Sequence, residues 1–516
     1  MPAALGEDAS SDPSSIGLEQ LSAPAPANQS QTQPQAQQHD QLAMQLLFCV
    51  FCGLYAYFFQ GGGWNQNSHF DAVRSMVERH TVEITPIARN TGDVGFHDGK
   101  VYSNKGPGLA ALTAPVYFVL YHLQRALSEG EPELLQTYVN AQILAFFASG
   151  LPGVMLVLVL YSHFRRAKAS AADSLCLAAG FGAGTLVFPY SGLMMSHIFT
   201  ACALFTAWHI LSDATQTFGR SLASGVLVGA AVITDVLATP VALLLLFYAT
   251  RRHARRELSG FVAGAGLMAC LFLTYNRVAF GSIFKTNQNL DAQQFQTQGL
   301  LFGMLGPPEW MRLYWLSFHP FRGVFHCCPV LLLPFLSLPR SLRSFRRTAL
   351  HLEQVVPLLV VANYVLFNLS FNGWTGGWGV GPRYMIPMVP FLYVFALSGF
   401  RRVRLPAMLL MALSSVSMFC VAAVRTMVPA PSGGQVPAWD PVADCIERLA
   451  AGQVSISTQG VLDYVPTKGP MAPWASYNLG EVIGLRGLFS VVPALLLLGV
   501  LIWGLVVFRQ RYHQST

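Results

Sequence analysis

Carboxylates and a lysine are concentrated in one polar stretch, residues 61–108, which directly follows an apolar run. Asp71, Asp93 and Asp98 supply carboxylates, and Lys105 supplies a compact cation. A carboxylate within hydrogen-bond reach of a nucleophile can accept its proton, and an ammonium group can hold a phosphate. This stretch is therefore where we expect reaction chemistry.

The second half of the stretch, residues 91–108, reads TGDVGFHDGKVYSNKGPG. Its five glycines let the backbone turn sharply and come close to a ligand. Asp93 and Asp98 suit a general base or a metal ion, while Lys105 suits a phosphate. The same pattern also fits a plain surface hairpin, and the residues alone leave that alternative open.

A short amphipathic helix is predicted over residues 68–77, just upstream. Phe70 and Val73 share its apolar face, whereas Asp71 and Arg74 lie on the other face. Such a helix suits the membrane interface. A solvated Asp71–Arg74 ion pair is the alternative to a functional carboxylate here.

Further polar and aromatic residues come at the ends of later apolar runs. Arg322 and Arg383 stand at edges where cytoplasmic anchoring does not explain them, so with Lys105 they suit the phosphate of a lipid carrier. The tryptophans of this set fit either sugar stacking or interfacial anchoring. The predicted substrate-lining residues are His69, Tyr102, Asn104, Tyr190, His197, Trp374, Trp378 and Tyr384.

Composition places all of these residues in a membrane protein. The 516 residues are 53% hydrophobic and 11% charged, against about 25% charged in an average soluble protein. Apolar runs of roughly 17–25 residues predict spanning helices, so the fold class is an all-α polytopic membrane protein. The net charge of +7 sits in short basic clusters between the runs, which indicates membrane anchoring and no nucleic-acid partner.

About twelve transmembrane helices satisfy the rule that basic clusters stay in the cytoplasm, with both termini on that side. The short run 109–123 is interpreted as a membrane-dipping helix of the first external loop, because a full crossing would move a basic cluster outside. The predicted spans are 43–60, 137–163, 172–190, 196–212, 222–236, 238–250, 257–275, 322–338, 354–371, 384–400, 405–424 and 487–508.

Four regions follow from these spans. Residues 1–41, rich in Ser, Pro, Gln and Ala, are predicted to be a disordered cytoplasmic tail. Residues 42–424 form the transmembrane core with the external loop 61–136, and 425–486 form a small external cap with a capped amphipathic helix. Residues 487–516 are the last span and a cytoplasmic tail.

One carboxylate falls inside a predicted membrane run. Asp235 precedes Thr239 and Pro240, which break the apolar stretch near its predicted external face. An ionisable residue in such a run is a functional candidate, and we expect Asp235 to lie close to the polar stretch. A carboxylate satisfied by helix-end amides is the alternative.

The ordered motifs resemble the GT-C class of membrane glycosyltransferases, in the family 39-like group of the protein O-mannosyltransferases and the lipid A aminoarabinose transferase. They are NSHFDAVRSMVE, TGDVGFHDGKVYSNKGPG, PYSGLMMSH, FRGVF, GGWGVGPRY and YNLGEVIGLRGLFS, within about residues 43–508. The resemblance implies transfer of a hexose or pentose from polyprenyl phosphate to an envelope glycan, lipid or protein, at a periplasmic site of a bacterial inner membrane. It also implies a first-loop carboxylate as general base and a contact between Lys105 and the carrier phosphate.

The chain departs from this pattern at two places. Relatives carry an Asp-Glu pair before the amphipathic helix, where this chain has Gln66 and Asn67, so Asp71 becomes the first choice for the base, before Asp93 and Asp98. The second external turn, often acidic in relatives, has a histidine. Without clustered carboxylates a divalent ion lacks its usual oxygen ligands, so no cofactor is assigned and a metal is not favoured.

Two other classes of protein compete with a transferase. A transporter or flippase of lipid-linked substrates would show inverted repeats and charges at the bilayer midplane, whereas most polar candidates here gather at one edge. A scaffold that only binds a lipid carrier would retain Lys105, Arg322 and Arg383 but would need no carboxylate. The expected partners of a transferase are a polyprenyl-phosphate sugar, an envelope acceptor and membrane lipid.

Overall fold

A computed structural model describes residues 29–128, 134–287, 304–336, 352–429, 436–456 and 476–514. Helices dominate these residues, which confirms the predicted all-α membrane class. The described residues fall into two units, divided between Leu42 and Ala43, and every candidate site residue belongs to the second unit. The first half contains α1 (Gln29–Tyr57), α2 (Trp64–Glu78), α3 (Pro107–Ser128), α4 (Leu134–Ala145), α5 (Leu151–Arg166), α6 (Ala171–Gly184), α7 (Val187–Ser191), α8 (Ser196–Leu211), α9 (Phe218–Thr234), α10 (Thr239–Arg252) and α11 (Arg255–Phe280).

The second half contains shorter helical pieces between longer ones. A broken segment, with one bend of 60°, runs through the 3₁₀ turn Arg383–Met388 into two short helices. The helices are α12 (Met311–Ser317), α13 (Val324–Cys327), α14 (Leu352–Ser370), α15 (Val389–Tyr393), α16 (Ala396–Arg402), α17 (Arg404–Val424), α18 (Pro441–Ala450), α19 (Leu479–Val482) and α20 (Val492–Gln514).

Six described helices are long and apolar enough to cross a membrane, or seven if the bent pair is one span. They are Gln37–Tyr57, Gln136–Arg166, Arg255–Phe280, Leu352–Ser370, Arg404–Val424 and Gly487–Gln510. The predicted count of about twelve is not confirmed. Several predicted spans are helices of 14–17 residues that end at breaks, such as the one at Asp235, and these fall below the usual crossing length.

Two predicted boundaries change. Residues 29–41, assigned to a disordered tail, are helical because α1 begins at Gln29, while residues 1–28 lie outside the described residues. The predicted dipping run 109–123 belongs to α3, a helix of 22 residues that packs against α2. The helix predicted in the external cap is confirmed as α18, whose N-cap Asp440 accepts hydrogen bonds from two backbone amides.

Two small sheets of the described chain lie at the start of the predicted first loop and within it. β1 (Phe58–Gln60) pairs with β4 (Ser476–Asn478), so a segment beyond the cap returns to the start of the loop. β2 (Val94–His97) and β3 (Lys100–Ser103) form an antiparallel hairpin closed by Asp98 and Gly99 at φ 47° and 73°. Asp-Gly favours this turn because both positions need a positive φ. The plain hairpin alternative is thus correct for its tip, 98–99.

Candidate active site

The base of the hairpin carries an ion pair between the predicted phosphate ligand and one of the predicted carboxylates. Lys105 Nζ lies 2.8 Å from Asp93 Oδ2, and the two side chains are 22% and 13% exposed. The backbone is held at the same place, because Asn287 Nδ2 donates to the carbonyl oxygens of Ser103 and Lys105 at 2.6 and 2.8 Å. Ser68 on α2 donates to the Asp93 carbonyl at 2.6 Å. Lys105 and Asp93 are therefore positioned by α2 and by a segment almost two hundred residues away.

Two glycines bring this ion pair against the end of α9. A Cβ on Gly106 would lie 2.4 Å from the carbonyl oxygen of Ile233, and a Cβ on Gly108 would lie 2.2 Å from Thr234 Oγ1. Both distances are below any real contact, so the approach requires glycine. The next residue after Thr234 is Asp235, whose predicted position near the polar stretch is thereby confirmed.

Asp235 meets a histidine across the helix break. Its Oδ1 accepts a hydrogen bond from the Leu237 amide at 3.1 Å, and its Oδ2 lies 3.7 Å from His197 Nδ1. His197 starts α8, and its side chain is 4% exposed. Neither ring nitrogen has a hydrogen-bond partner among the described residues. The ring is thus held near a carboxylate that is itself fixed.

Arg383 approaches from the loop before the bent helix pair. Its guanidinium lies over the Tyr384 ring, 5.2 Å from the centroid, and donates to the Tyr384 hydroxyl at 3.4 Å. The Tyr384 ring in turn packs edge-on against His197 at 5.2 Å. Arg383 is 8% exposed, and the negative charge of Asp93 acts on its guanidinium.

These contacts join five ionisable residues from four distant parts of the chain. We call Asp93, Lys105, His197, Asp235 and Arg383 the polar cluster. The charges of Lys105 and Arg383 both act on His197. Two cations, two carboxylates and an imidazole can together hold a phosphate and move a proton.

His69 lies beside the polar cluster and is 2% exposed. Burial, with smaller contributions from Lys105 and His197, lowers its pKa to about 3. The imidazole is therefore neutral at physiological pH and can offer one donor and one acceptor to a ligand. This supports its predicted place in the substrate lining.

Asp71, the first choice for the general base, is outside the polar cluster. Its side chain is 0% exposed, and Asn90 donates to its Oδ1 at 3.3 Å. Burial raises its pKa to about 8, against opposing effects of Arg74 and the Asn90 hydrogen bond. A carboxyl group that is buried and mostly protonated at neutral pH is poorly suited to take a proton from an acceptor.

Asp98 is also outside the polar cluster. It occupies the hairpin turn with its side chain 85% exposed, 3.4 Å from His97. Of the three predicted first-loop carboxylates, Asp93 alone contacts a residue of the cluster in the described part of the chain.

Arg322 requires a correction. It is 0% exposed and donates to the backbone carbonyls of Thr375 at 2.9 Å, of Gly377 at 2.7 Å and of Gly379. A guanidinium fork engaged with three carbonyls holds the loop that carries Arg383. Its predicted contact with a carrier phosphate does not fit this burial.

Several predicted lining residues serve packing. Trp374 is 8% exposed and stacks on Trp315 at 5.2 Å, so its ring is engaged in packing. Trp378 is half-buried and packs against the core. Tyr190 donates to the Val380 carbonyl at 3.0 Å and so supports the same loop as Arg322. Tyr102 packs on Phe280 at 5.1 Å.

Asn104 and Tyr384 keep positions consistent with substrate lining. Asn104 is 8% exposed, next to Lys105, and its Oδ1 has no hydrogen-bond partner among the residues that the structure describes. Tyr384 is half-buried between Arg383 and His197.

The polar residues that replace the relatives' acidic pair have structural contacts. Gln66 donates to the carbonyls of Gln60 and Gly62 and accepts from the Met194 amide at 2.8 Å. Asn67 donates to the Asn90 carbonyl at 2.9 Å. Within the described ranges, no group of three or more His, Cys, Asp or Glu side chains is placed to hold a metal ion.

The sequence predicts His197 as a lining residue and Asp235 as a functional candidate, but it predicts neither their contact nor a role for Asn287. Asp235 was the one clear carboxylate inside an apolar run, which was a usable signal. The sequence gives no such signal for Asn287, because its role depends on the positions of backbone carbonyls, which a sequence does not show.

Comparisons with known proteins gave structural matches but no sequence match. No family model matches the chain, and no curated protein matches it. ArnT from Cupriavidus metallidurans bound to undecaprenyl phosphate matches with a TM-score of 0.46 and 14% identity, over 92% of this chain and 76% of that one. The apo state of the same protein matches with a TM-score of 0.45 and 13% identity, over 93% of this chain and 75% of that one.

A third match is the archaeal oligosaccharyltransferase AglB from Archaeoglobus fulgidus in complex with an inhibitory peptide and a dolichol-phosphate. Its TM-score is 0.46 at 12% identity, over 84% of this chain and 64% of that one. These structures belong to the GT-C group that the ordered motifs resemble.

Proposed function

We propose that the protein is a glycosyltransferase that moves a hexose or pentose from a polyprenyl-phosphate donor to an envelope glycan, lipid or protein. The proposed location is a bacterial inner membrane, with both termini cytoplasmic and the polar cluster open to the periplasmic side. The choice of a polyprenyl-phosphate sugar as the donor follows from the motifs that resemble the GT-C class.

The observation that supports it best is the convergence of Lys105 and Arg383 beside carboxylates and imidazoles. A donor phosphate carries negative charge, which grows on the bridging oxygen as the bond to the sugar breaks. Cations fixed before the reaction stabilise that charge without reorganisation. In the resting site Asp93 holds Lys105 in place, and the phosphate competes with Asp93 for the ammonium group.

Arg383 complements Lys105 in this arrangement. Its guanidinium lies over the Tyr384 ring and donates to the Tyr384 hydroxyl, so the planar fork is oriented before the donor arrives. A planar fork can give two parallel hydrogen bonds to phosphate oxygens, whereas Lys105 acts as a point charge. Together they distinguish a phosphate headgroup from a neutral lipid.

The test uses purified protein in lipid vesicles with undecaprenyl-phosphate hexoses and pentoses and a membrane extract as acceptor. The rate of undecaprenyl phosphate release is measured together with labelled sugar in the acceptor fraction. We expect Lys105→Ala to lower kcat/KM by about a hundredfold or more, as the loss of one charge-stabilising contact does elsewhere.

Lys100→Ala is the matched control. Lys100 is on the same hairpin, but it is 56% exposed and pairs with Glu83. Its replacement should leave the release rate within about twofold of the wild type. Equal rates for wild type and Lys105→Ala would contradict the proposal. Movement of intact donor across the vesicle membrane with no release of undecaprenyl phosphate would favour a flippase.

A further inference from the structure

We infer that His197 is the general base that accepts the proton of the acceptor, and that Asp235 is the residue that positions its ring. This inference rests on the proposed function and deepens it. It replaces the first-loop carboxylates in the role of base.

The geometry of the pair supports this assignment. Asp235 Oδ1 is fixed by the Leu237 amide, so Oδ2 is the oxygen that faces His197 Nδ1 at 3.7 Å. Catalytic hydrogen bonds are often long without substrate and tighten when it binds. With Nδ1–H directed at the carboxylate, the lone pair is on Nε2, which has no hydrogen-bond partner among the described residues.

The charged neighbours of His197 suit a base. Burial and the charges of Arg383 and Lys105 oppose a positive charge on the ring in the resting site, and Asp235 stabilises it after proton transfer. Tyr384 packs on the ring at 5.2 Å. An imidazole needs this combination, because it must begin neutral and end charged.

The predicted carboxylates are less well placed. Asp71 is 0% exposed, and Asp98 is at the hairpin tip. Asp93 is in the polar cluster, but Lys105 engages its Oδ2 at 2.8 Å. In the resting site Asp93 is thus engaged with Lys105, whereas Nε2 of His197 has no hydrogen-bond partner among the described residues.

The acceptor O–H gives its proton to His197 Nε2 while the oxygen forms a bond to the anomeric carbon. The bond from that carbon to the phosphate oxygen breaks, and its electron pair leaves with the carrier phosphate, held by Lys105 and Arg383. The imidazolium returns the proton to water after the products leave.

The first experiment measures undecaprenyl phosphate release by His197→Gly and His197→Asn protein. Loss of a general base should lower the rate by about a hundredfold to ten-thousandfold. Binding of undecaprenyl phosphate should stay within about twofold, because His197 does not hold the phosphate. Added imidazole should restore part of the rate to His197→Gly, because it can occupy the vacated space as a soluble base.

The matched control is His80→Asn. His80 is an exposed histidine of the first loop at φ 54°, a conformation that Asn tolerates. Its release rate should equal that of the wild type, with or without imidazole. If His197→Gly does not fold, His197→Asn, which keeps a side chain of similar reach, decides the question.

The second experiment tests Asp235 as a positioning residue. Asp235→Asn should lower kcat by about tenfold or more with the donor KM unchanged within about twofold, because only the orientation and charge of the base are lost. Asp235→Glu should recover part of the kcat. A merely structural role would reduce the amount of folded protein and would not show this split.

The outcomes separate this inference from the proposed function. A wild-type rate in His197→Asn, or turnover abolished by Asp93→Asn while imidazole rescue of His197→Gly fails, would overturn the inference and give the role of base to Asp93. A normal rate in Lys105→Ala, or no release by the wild type from any donor, would overturn the proposed function and the inference with it.

Discussion

Lys105 and Arg322 look alike in the sequence and differ in the structure. Both are cations at the predicted external edge of the membrane, and each is followed directly by a glycine. Lys105 is partly exposed and pairs with a carboxylate, so a phosphate can replace its partner. Arg322 is fully buried and donates to three backbone carbonyls of the loop before Arg383.

The difference shows what distinguishes a ligand-binding cation from a structural one. A carboxylate partner is exchangeable for another anion, because charge is conserved when the phosphate enters. Backbone carbonyls are not exchangeable, because releasing them leaves buried acceptors unsatisfied. The 372–383 loop is therefore a rigid support for Arg383. The hairpin carries Lys105, which can exchange Asp93 for a phosphate.

The largest expected effect comes from Arg322→Met. Three buried carbonyls lose their donor at a cost of about 1–3 kcal/mol each, so the loss of stability should be about 3 kcal/mol or more. Thermal unfolding in detergent, followed by intrinsic fluorescence, measures it.

Lys105→Met is the matched comparison, since a partly exposed ion pair contributes only about 1 kcal/mol or less. Its unfolding temperature should stay near that of the wild type while its binding of undecaprenyl phosphate falls. An Arg322→Met protein of wild-type stability that loses only phosphate binding would reverse the roles given to the two cations.

A smaller effect is expected from Asp71→Asn. The folded-state pKa of about 8 is above the ordinary value of 3.8, so the fold favours the protonated acid. This contribution to stability is fully present below about pH 4 and is lost as the pH rises through 8. Asp71→Asn should therefore be more stable than the wild type near pH 8, as measured by unfolding temperature across that range.

The same variant distinguishes the two accounts of the base. An amide resembles a protonated acid, so Asp71→Asn should keep a turnover rate within about threefold of the wild type at neutral pH. Asp98→Asn, at the exposed hairpin tip, should change neither stability nor rate. Loss of turnover in a folded Asp71→Asn protein would return the role of base to Asp71.

Periodicity and composition predicted the helical membrane fold well, because long apolar runs leave few alternatives in a bilayer. They predicted the number of membrane spans less reliably, because some apolar runs are broken. Asp235 and Pro240 divide one apolar stretch, and the bent pair 383–402 divides another. The number of spans depends on these breaks, which a mean hydropathy over a long window does not detect.

Residue type predicted which side chains could do chemistry but not which of them meet. Lys105 was identified because a lysine in a glycine-rich polar loop suits a phosphate, and Arg383 because a cation away from the cytoplasm needs another explanation. Asp71 was preferred from its place in a helix, and the sequence had no measure of its burial. The His197–Asp235 contact joins residues 38 positions apart at two helix ends, which only packing brings together.

The most direct test of the central claim is to locate a bound carrier. An undecaprenyl phosphate analogue with a photoreactive group beside the phosphate is irradiated in vesicles with the full-length protein, and labelled peptides are identified by mass spectrometry. The account predicts labels on the peptides containing Lys105 and Tyr384, competed away by unmodified undecaprenyl phosphate and reduced in Lys105→Ala. Labels confined to the basic clusters, such as 251–256, with none on the hairpin, would contradict it.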